Sequence, residues 1–358
     1  MDIGEIARRA GVARSTVSYA LSGKRPVSVE TRRRIQLVID ELDYRPNASA
    51  RALKEGRTRT VGLVIPPAGA RLTSMQLDFV GSVVEAAARV DLDVLLSPSG
   101  GDGDRSFERL ISGRRVDGVI LMEILMEDPR VTRVAQSGVP FVTIGRIRDP
   151  DATWWVDMDY APPVGRCVDH LADLGHRHIA LVNRSTALVS AGYGPALRAS
   201  EGFAEAVGRR EVTGSEFCCE DDVAGGERCV AEILASRPST TAIVTVNEAA
   251  LPGVQRALER AGHEIPRTFS VAGVAADQWA EEFHPPLTAA DVPSLAMGTA
   301  AVELLAERIA DPDAPARHRL FAPTLSFRDS TGSAPRPSAR PAFLSPAAPR
   351  RFREAAAD

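Results

Sequence analysis

The chain has 358 residues, 44% hydrophobic and 25% charged, with a formal net charge of −4. That suffices for a real core and for two or three domains. The longest apolar stretches, such as residues 116–122, are far too short to span a bilayer. The opening Met1-Asp2-Ile3-Gly4-Glu5 lacks a secretory signal's basic start and apolar block, so a cytoplasmic protein with no membrane partner is expected.

The charge is unevenly spread. Residues 1–59 carry 13 Lys/Arg against 7 Asp/Glu, a net +6, which leaves −10 on the rest. A basic head on an acidic body points to a polyanionic partner for the head. In that head, Asp2 and Glu5 form a capping-box-like start to a first helix, with Ile6, Ala7 and Ala10 on one face and Gly11 as its stop. A second helix is predicted from Arg14 or Ser15 to Leu21, with Val17 and Leu21 buried four apart. Ser28 caps a third helix, in which Ile35, Val38, Ile39 and Leu42 repeat at helical spacing. Pro46 breaks the chain, Asn47 can cap a short helix through about Lys54, and Gly56 ends it.

Past Arg59 the pattern alternates. Strands are predicted over 61–65, 94–96, 118–122, 141–144, 179–182, 242–246 and 270–274. Helices are predicted over 79–90, 107–112, 131–137, 165–174, 199–207, 227–236 and 250–261. Buried strands separated by helices imply parallel sheets covered on both faces, and this many repeats suggests two doubly wound α/β lobes with ligand sites at the carboxyl ends of strands. From about Thr331 the composition turns to Pro, Ala, Ser and Arg, read as a disordered tail over 331–358. Cys167, Cys218, Cys219 and Cys229 form no CxxC pair, which suits unpaired thiols in a reducing compartment and implies neither metal nor cofactor.

Ala7, Gly11 and Val17 sit at the spacing of a helix-turn-helix. The small Ala lets two helices cross closely, Gly takes the turn, and Val fills the space between. The second helix can then present Arg14, Ser15, Ser18 and Tyr19 to a major groove. Enzyme readings find little: His176-x-His178 has no nearby acidic triad, Ser185, Ser190 and Ser200 lack a Gly-x-Ser-x-Gly setting, and Asp157 and Asp159 read better as strand-end cleft acids than as a metal pair.

Several runs resemble the lactose/galactose repressor (LacI/GalR) family: Ile6-Ala7-Arg8-Arg9-Ala10-Gly11-Val12, Ser15-Thr16-Val17-Ser18, Tyr44-Arg45-Pro46-Asn47-Ala48, Arg115-Val116-Asp117-Gly118-Val119-Ile120 and Leu174-Gly175-His176-Arg177. The likeness covers all but the tail. It implies an all-α helix-turn-helix head over 1–46, a hinge helix and linker over 47–58, and a two-lobed periplasmic-binding-protein-like domain over 59–330. The N-lobe would span about 59–159 and 291–320, the C-lobe about 160–290 and 321–330. It implies a homodimer on operator DNA, acting as a repressor whose affinity is set by a small-molecule effector, a sugar or related metabolite.

By the same resemblance Arg14, Ser15 and Tyr19 read base edges, and Ser18 and Thr16 belong to the same major-groove helix. Thr31 and Asn47 hold the DNA backbone; Ala50 and the wedge Leu53 enter the minor groove. Tyr19 stands where the family often has Arg, and it cannot form a bidentate fork to guanine. In the cleft the family's arginine position falls on Ala199, with Arg198 beside it, and the family's aspartate position falls on Ala275, with Asp277 displaced. Asn247-Glu248 replaces Asn-Asp, and Arg71 stands near the end of the first strand. Cleft candidates are therefore Arg71, Arg146, Asp159, Arg198, Asn247, Glu248 and Asp277. Losing both anchor charges argues against a typical monosaccharide. Trp154, Trp155, Trp279 and Phe283 are candidate aromatic walls, with core or dimer packing as the alternative. Two other readings stay open: the same regulator with a degenerate cleft, and a solute-binding protein.

Overall fold

The computed structural model describes residues 3–22, 25–42, 52, 56–66, 72–99, 104–113 and 115–335. Asn47, Ala50, Leu53 and Arg71, the Asp2 cap and nearly all of the expected hinge helix lie outside these residues.

The head is three helices, α1 (Ile3–Ala10), α2 (Arg14–Ser22) and α3 (Val29–Glu41). Ile6, Ala7, Ala10, Val17, Ile35 and Ile39 close into one small core. Leu21, expected beside Val17, is instead partly exposed at 38%. Ser28 caps α3 by accepting the Thr31 N–H at 3.2 Å.

The body contains two six-stranded sheets. The first lobe holds β1 (Thr60–Ile65), β2 (Asp93–Pro98), β3 (Gly118–Leu121), β4 (Phe141–Ile144) and β5 (Trp155–Met158), with helices α4 (Ser74–Arg89), α5 (Asp104–Ser112) and α6 (Pro129–Ser137). The second lobe follows with α7 (Ala161–Asp173), β6 (His178–Asn183), α8 (Thr186–Ala191), α9 (Gly194–Arg210), β7 (Thr213–Cys218), α10 (Val223–Ser236), β8 (Ala242–Thr245), α11 (Leu251–Arg260), β9 (Ser270–Val274), α12 (Asp277–Glu282) and β10 (Thr288–Ala290). The chain then returns to the first lobe for α13 (Ser294–Ala310) and β11 (His318–Phe321), and ends in the second with β12 (Leu325–Ser326). Strand order is β11-β5-β4-β3-β1-β2, all parallel, in one sheet. In the other it is β12-β10-β9-β8-β6-β7, parallel except for β12. The lobes are thus joined by segments after Met158, after Ala290 and between Phe321 and Leu325.

Departures from the expected elements have local causes. Helix α4 begins at Ser74 because Thr73 and Gln76 cap it reciprocally, Gln76 N–H to Thr73 Oγ1 at 3.3 Å and Thr73 N–H to Gln76 Oε1 at 2.9 Å. Strand β5 breaks the apolar run with Asp157. Helix α13 crosses α4 so closely that a Cβ on Gly298 would sit 1.9 Å from Ser82 Oγ. Order does not stop at 331, where the composition changes: Ala334 still donates its N–H to the Leu174 carbonyl at 2.8 Å, and His176 contacts the Gly332 carbonyl at 3.1 Å.

At the entry to the body, the Asp117 carboxylate accepts the backbone N–H of Thr58 at 2.7 Å and of Arg59 at 2.8 Å, and the Thr58 hydroxyl at 3.0 Å. Among the described residues no helix is long and apolar enough to cross a membrane.

Candidate functional site

Helix α2 has one polar side. Arg14 and Ser15 are exposed and Ser18 and Tyr19 half-exposed, at i, i+1, i+4 and i+5, while Val17 points into the core. Gly11, at φ 63°, makes the turn that sets α2 across α1, and a β-carbon would strain it there. Arg14 folds over the start of α1: a Cβ on Gly4 would lie 2.1 Å from its Nη2. A change of rotamer would swing this guanidinium outward. Thr16 is half-buried, with its N–H on the Ala13 carbonyl at 2.9 Å. The Thr31 hydroxyl takes a bond from Ser28 Oγ at 2.8 Å.

The second site lies between the lobes, just past the carboxyl ends of strands in both sheets. A cavity of about 840 Å³ is lined by Thr73, Gln76, Glu123, Asp128 and Arg130 from one lobe and Ser185, Leu188, Asp221 and Asp222 from the other. A recess of about 50 Å³ shares Thr73, Gln76 and Glu123 with it and adds Phe79, Asp157, Tyr160, Arg184, Tyr193 and Glu248.

Glu123 is the most constrained of these. Its backbone is left-handed, φ 56°, a conformation that costs a side-chain-bearing residue about 1–2 kcal/mol. Arg130 holds it there, with Nη2 on the carbonyls of Glu123 at 2.7 Å and Met122 at 3.1 Å. Arg130 is itself gripped by Asp128, Nη2 to Oδ2 at 2.7 Å and Nε to Oδ1 at 3.0 Å. Burial pushes the Asp128 acid upward, but the Arg130 bonds and charge and the N–H groups of Leu125 and Arg130 outweigh it and hold the group below the usual carboxylate range. The Glu123 carboxylate accepts Gln76 Nε2 at 3.0 Å and the Tyr193 hydroxyl at 3.4 Å. From the other lobe, Arg184 forks onto Asp221 with two bonds of 2.8 Å, and its guanidinium lies 5.3 Å from the Tyr193 ring centre. Glu248 is buried, and burial pushes its acid up against the pull of Arg184. The recess thus offers fixed hydroxyl-binding carboxylates and aromatic faces, while Arg184, the one arginine lining it among the described residues, is already paired.

Residues 2–47 match the family of bacterial regulatory proteins, lacI family, and residues 168–331 match a periplasmic binding protein-like domain. The transcriptional regulator RafR of Escherichia coli is 31% identical, across 73% of this chain and 77% of its own length. MalR of Streptomyces coelicolor is 30% identical across 95% of this chain and 99% of its own. The chain belongs to the lacI family of bacterial regulatory proteins. Among solved structures, a CelR–cellobiose complex matches with 25% identity, 92% of this chain and 99% of that one, at a TM-score of 0.68. The lac repressor dimer bound to operator and an anti-inducer shares the fold at a TM-score of 0.81, 21% identity, and coverage of 93% of this chain and 99% of that one. Like its family, the chain is a DNA-binding transcriptional regulator and not an enzyme.

Within this lacI-family chain the expected cleft residues separate into groups. Glu248 faces the recess. Asn247 lies beneath it, fully buried, with Nδ2 on the Cys219 carbonyl at 2.9 Å, so it braces the exit of β7 rather than facing the cavity. Arg146, Asp159 and Arg198 gather around Asp157. Arg198 Nη1 stands 3.4 Å and Arg146 Nε 3.5 Å from Asp157 Oδ2, and Arg146 Nη2 stands 3.4 Å from Asp159 Oδ1. Arg198 comes from the second lobe, and its Nη2 also reaches the Arg146 carbonyl at 3.1 Å, so this cluster clasps the lobes together. Burial dominates at Asp157 and pushes its acid up to about 6 despite Arg198 and Arg146.

Two expectations are corrected. Asp277 is exposed, pairs with Arg328 at 2.6 Å, and borders a separate surface cavity with Asp78 and Asp291, because helix α12 carries it away from the strand end. The tryptophans and Phe283 are not cleft walls. Trp154, Trp155 and Phe283 are buried in packing, Trp155 stacked on His318 at 4.6 Å, and none of the four lines the cavity or its recess. Tyr160 and Tyr193 take that place. Sequence reasoning passed over Glu123, Asp128, Arg130, Arg184 and Asp221. Glu123, Arg184 and Asp221 lie one to three residues past a strand end, and that position was the available signal.

Proposed function

We propose that the chain is a cytoplasmic repressor that binds a two-fold related operator as a homodimer. Residues 1–46 form the reading head, with Arg14, Ser15, Thr16, Ser18 and Tyr19 toward the major groove and Thr31 and Asn47 on the backbone. Residues 47–58 form the hinge, with Ala50 and Leu53 in the minor groove. A neutral saccharide of about disaccharide size, bound between the lobes, sets operator affinity. The observation that carries the ligand class is the lining of the cleft. Glu123, Glu248, Asp221 and Asp222 face the cavity and its recess, while the lining arginines are committed to carboxylates, Arg184 to Asp221, Arg130 to Asp128 and Arg133 to Asp104 and Glu108. An anionic ligand would meet repulsion there, whereas sugar hydroxyls find fixed acceptors and Tyr160 and Tyr193 offer ring faces. The cellobiose held by the related CelR is a ligand of that kind.

The test is a gel-shift titration of the full chain on DNA from its own promoter, against a chain lacking residues 1–56. Full-strength selective binding by the truncated chain would end the head assignment. In parallel, thermal shifts compare neutral disaccharides with their phosphorylated counterparts. Neutral sugars should raise the melting point, with an affinity that falls at least tenfold in Glu248→Gln. A response to phosphorylated sugars alone would overturn the ligand class. A cleft that answers to no small molecule is the second reading, favoured by the Arg198–Asp157 clasp that already joins the lobes.

A further inference from the structure

We propose that Asp157 couples closure of the two lobes to proton uptake, so that mild acid favours the clasped form. Asp157 stands where the lobes meet, at the end of β5 and on the wall of the recess. Only 2% of it is exposed. Its Oδ1 accepts the Met158 N–H at 2.8 Å. Its Oδ2 has no hydrogen-bond partner among the described residues, and neither has the Arg198 Nη1 that stands 3.4 Å away. Closing the lobes therefore takes an acid and a guanidinium out of water and gives them a contact without a directed bond. A carboxyl in that position is far less costly to bury protonated than ionised.

Charged and titratable neighbours surround it. Arg198 reaches in from α9 of the second lobe, Arg146 from the turn after β4 at 3.5 Å, and Asp159 follows two residues along the chain. Tyr160 lies just before α7, and Glu123, Arg184, Tyr193 and Glu248 share the recess wall. From β11, His318 turns instead to the Trp155 ring and the Thr153 carbonyl. Burial outweighs the two arginines and raises the Asp157 acid to about 6 in the closed form. Parting the lobes admits water to Oδ2 and returns the acid toward its ordinary 3.8. The form with the higher value holds the proton more tightly. Closure is therefore favoured by acid, and that advantage is lost as pH climbs from about 4 to about 6. Protonation does not strand Arg198, because its Nη2 still donates to the Arg146 carbonyl at 3.1 Å and to Met126 Sδ at 3.6 Å. This proton switch depends on neither the ligand class nor the operator assignment.

The experiment is hydrogen exchange of the full chain, read at two amides that bridge the lobes. Met126 N–H donates to the Gly192 carbonyl at 2.7 Å and Gly194 N–H to the Ile124 carbonyl at 3.2 Å, so both exchange when the lobes part. Divided by the intrinsic exchange rate at each pH, their protection measures the ratio of closed to open form. From pH about 7.5 to about 5.5 it should rise roughly fourfold in wild type, and by pH about 4.5 up to roughly 25-fold. Small-angle scattering should show compaction over the same range. Asp157→Asn removes the proton-binding group and should leave both readouts flat. Arg198→Gln removes the larger of the two opposing positive charges, so the rise should persist with its midpoint above about 6.

Protection that stays flat or falls on acidification of the wild type overturns the proposal. So does a rise of equal size in Asp157→Asn, which would place the proton on another group. A midpoint unmoved in Arg198→Gln would show that Arg198 does not act on the titrating acid, and the clasp would fail with it. The wild-type curve alone tests the sign, whether or not either variant folds.

Discussion

Replacing Asp157 with Asn should make the stability of the protein respond differently to pH, and the sign follows from the inter-lobe cluster. Asp157 is buried in β5, with Arg198, Arg146 and Asp159 as its charged neighbours. Neither arginine comes closer than 3.4 Å to Oδ2, too loose to repay the lost water, and burial raises the acid from 3.8 to about 6. At about 1.4 kcal/mol per pH unit, ionised Asp157 costs the folded state about 3 kcal/mol relative to the unfolded chain. An acid raised on folding holds its proton longer in the native state, so native stability falls as pH climbs from about 4 to about 6 and levels off above that. Lowering the pH from about 7.5 to about 4.5 should recover roughly 2 kcal/mol of this. Asparagine has no proton to lose, so the stability of wild type minus that of Asp157→Asn should grow by that amount on acidification. Urea unfolding followed by the fluorescence of the adjoining Trp154 and Trp155 reads this directly. A difference that is flat with pH, or that grows toward alkaline pH, refutes the assignment of burial as the governing cause.

Three further outcomes are expected. Val17→Ala opens a void in a small core, six buried residues among the described ones, and should cost the head about 2 kcal/mol, abolishing operator binding while the second, effector-domain melting transition stays in place. Asp128→Ala strands the Arg130 guanidinium inside the first lobe, so it should destabilise that lobe by about 3–5 kcal/mol in calorimetry and free Glu123 from its left-handed backbone, weakening any saccharide response. Leu53→Ala should keep the circular dichroism of the parent and lose operator affinity in a gel shift; unchanged binding would count against the minor-groove wedge.

Much of the architecture is written in local patterns. The head follows from Ala7, Gly11 and Val17 because each meets a single geometric need, respectively close crossing, turn and filling. The strands of 61–65, 118–122 and 270–274 are legible because parallel sheet buries both faces and so demands unbroken apolar runs. Several elements missed lack the pattern that such a reading relies on. Strand β7 is half-exposed at the sheet edge, β5 carries a buried acid, and α13 is apolar around most of its circumference, which erases helical periodicity. The cleft was less legible. The family's charged positions fall on Ala199 and Ala275, and of the displaced neighbours taken as candidates, Arg198 serves the clasp behind the recess and Asp277 lies on another surface. What faces the cavity is decided by how chain leaves each strand. For Glu123 that exit depends on Arg130, seven residues later, and no pattern in the neighbouring sequence announces it.

The carboxylate of Asp117 makes the first lobe the mooring of the DNA-reading head. Because Thr58 and Arg59 are pinned to the base of β3, the chain moves with the lobe from Thr58 onward, and a tilt of the lobe displaces that point. Turning one lobe against the other therefore acts as a lever with its fulcrum at the mooring. In a pair of subunits a few degrees of tilt would become a change in the gap between two tethers, which is the quantity a two-part DNA site measures.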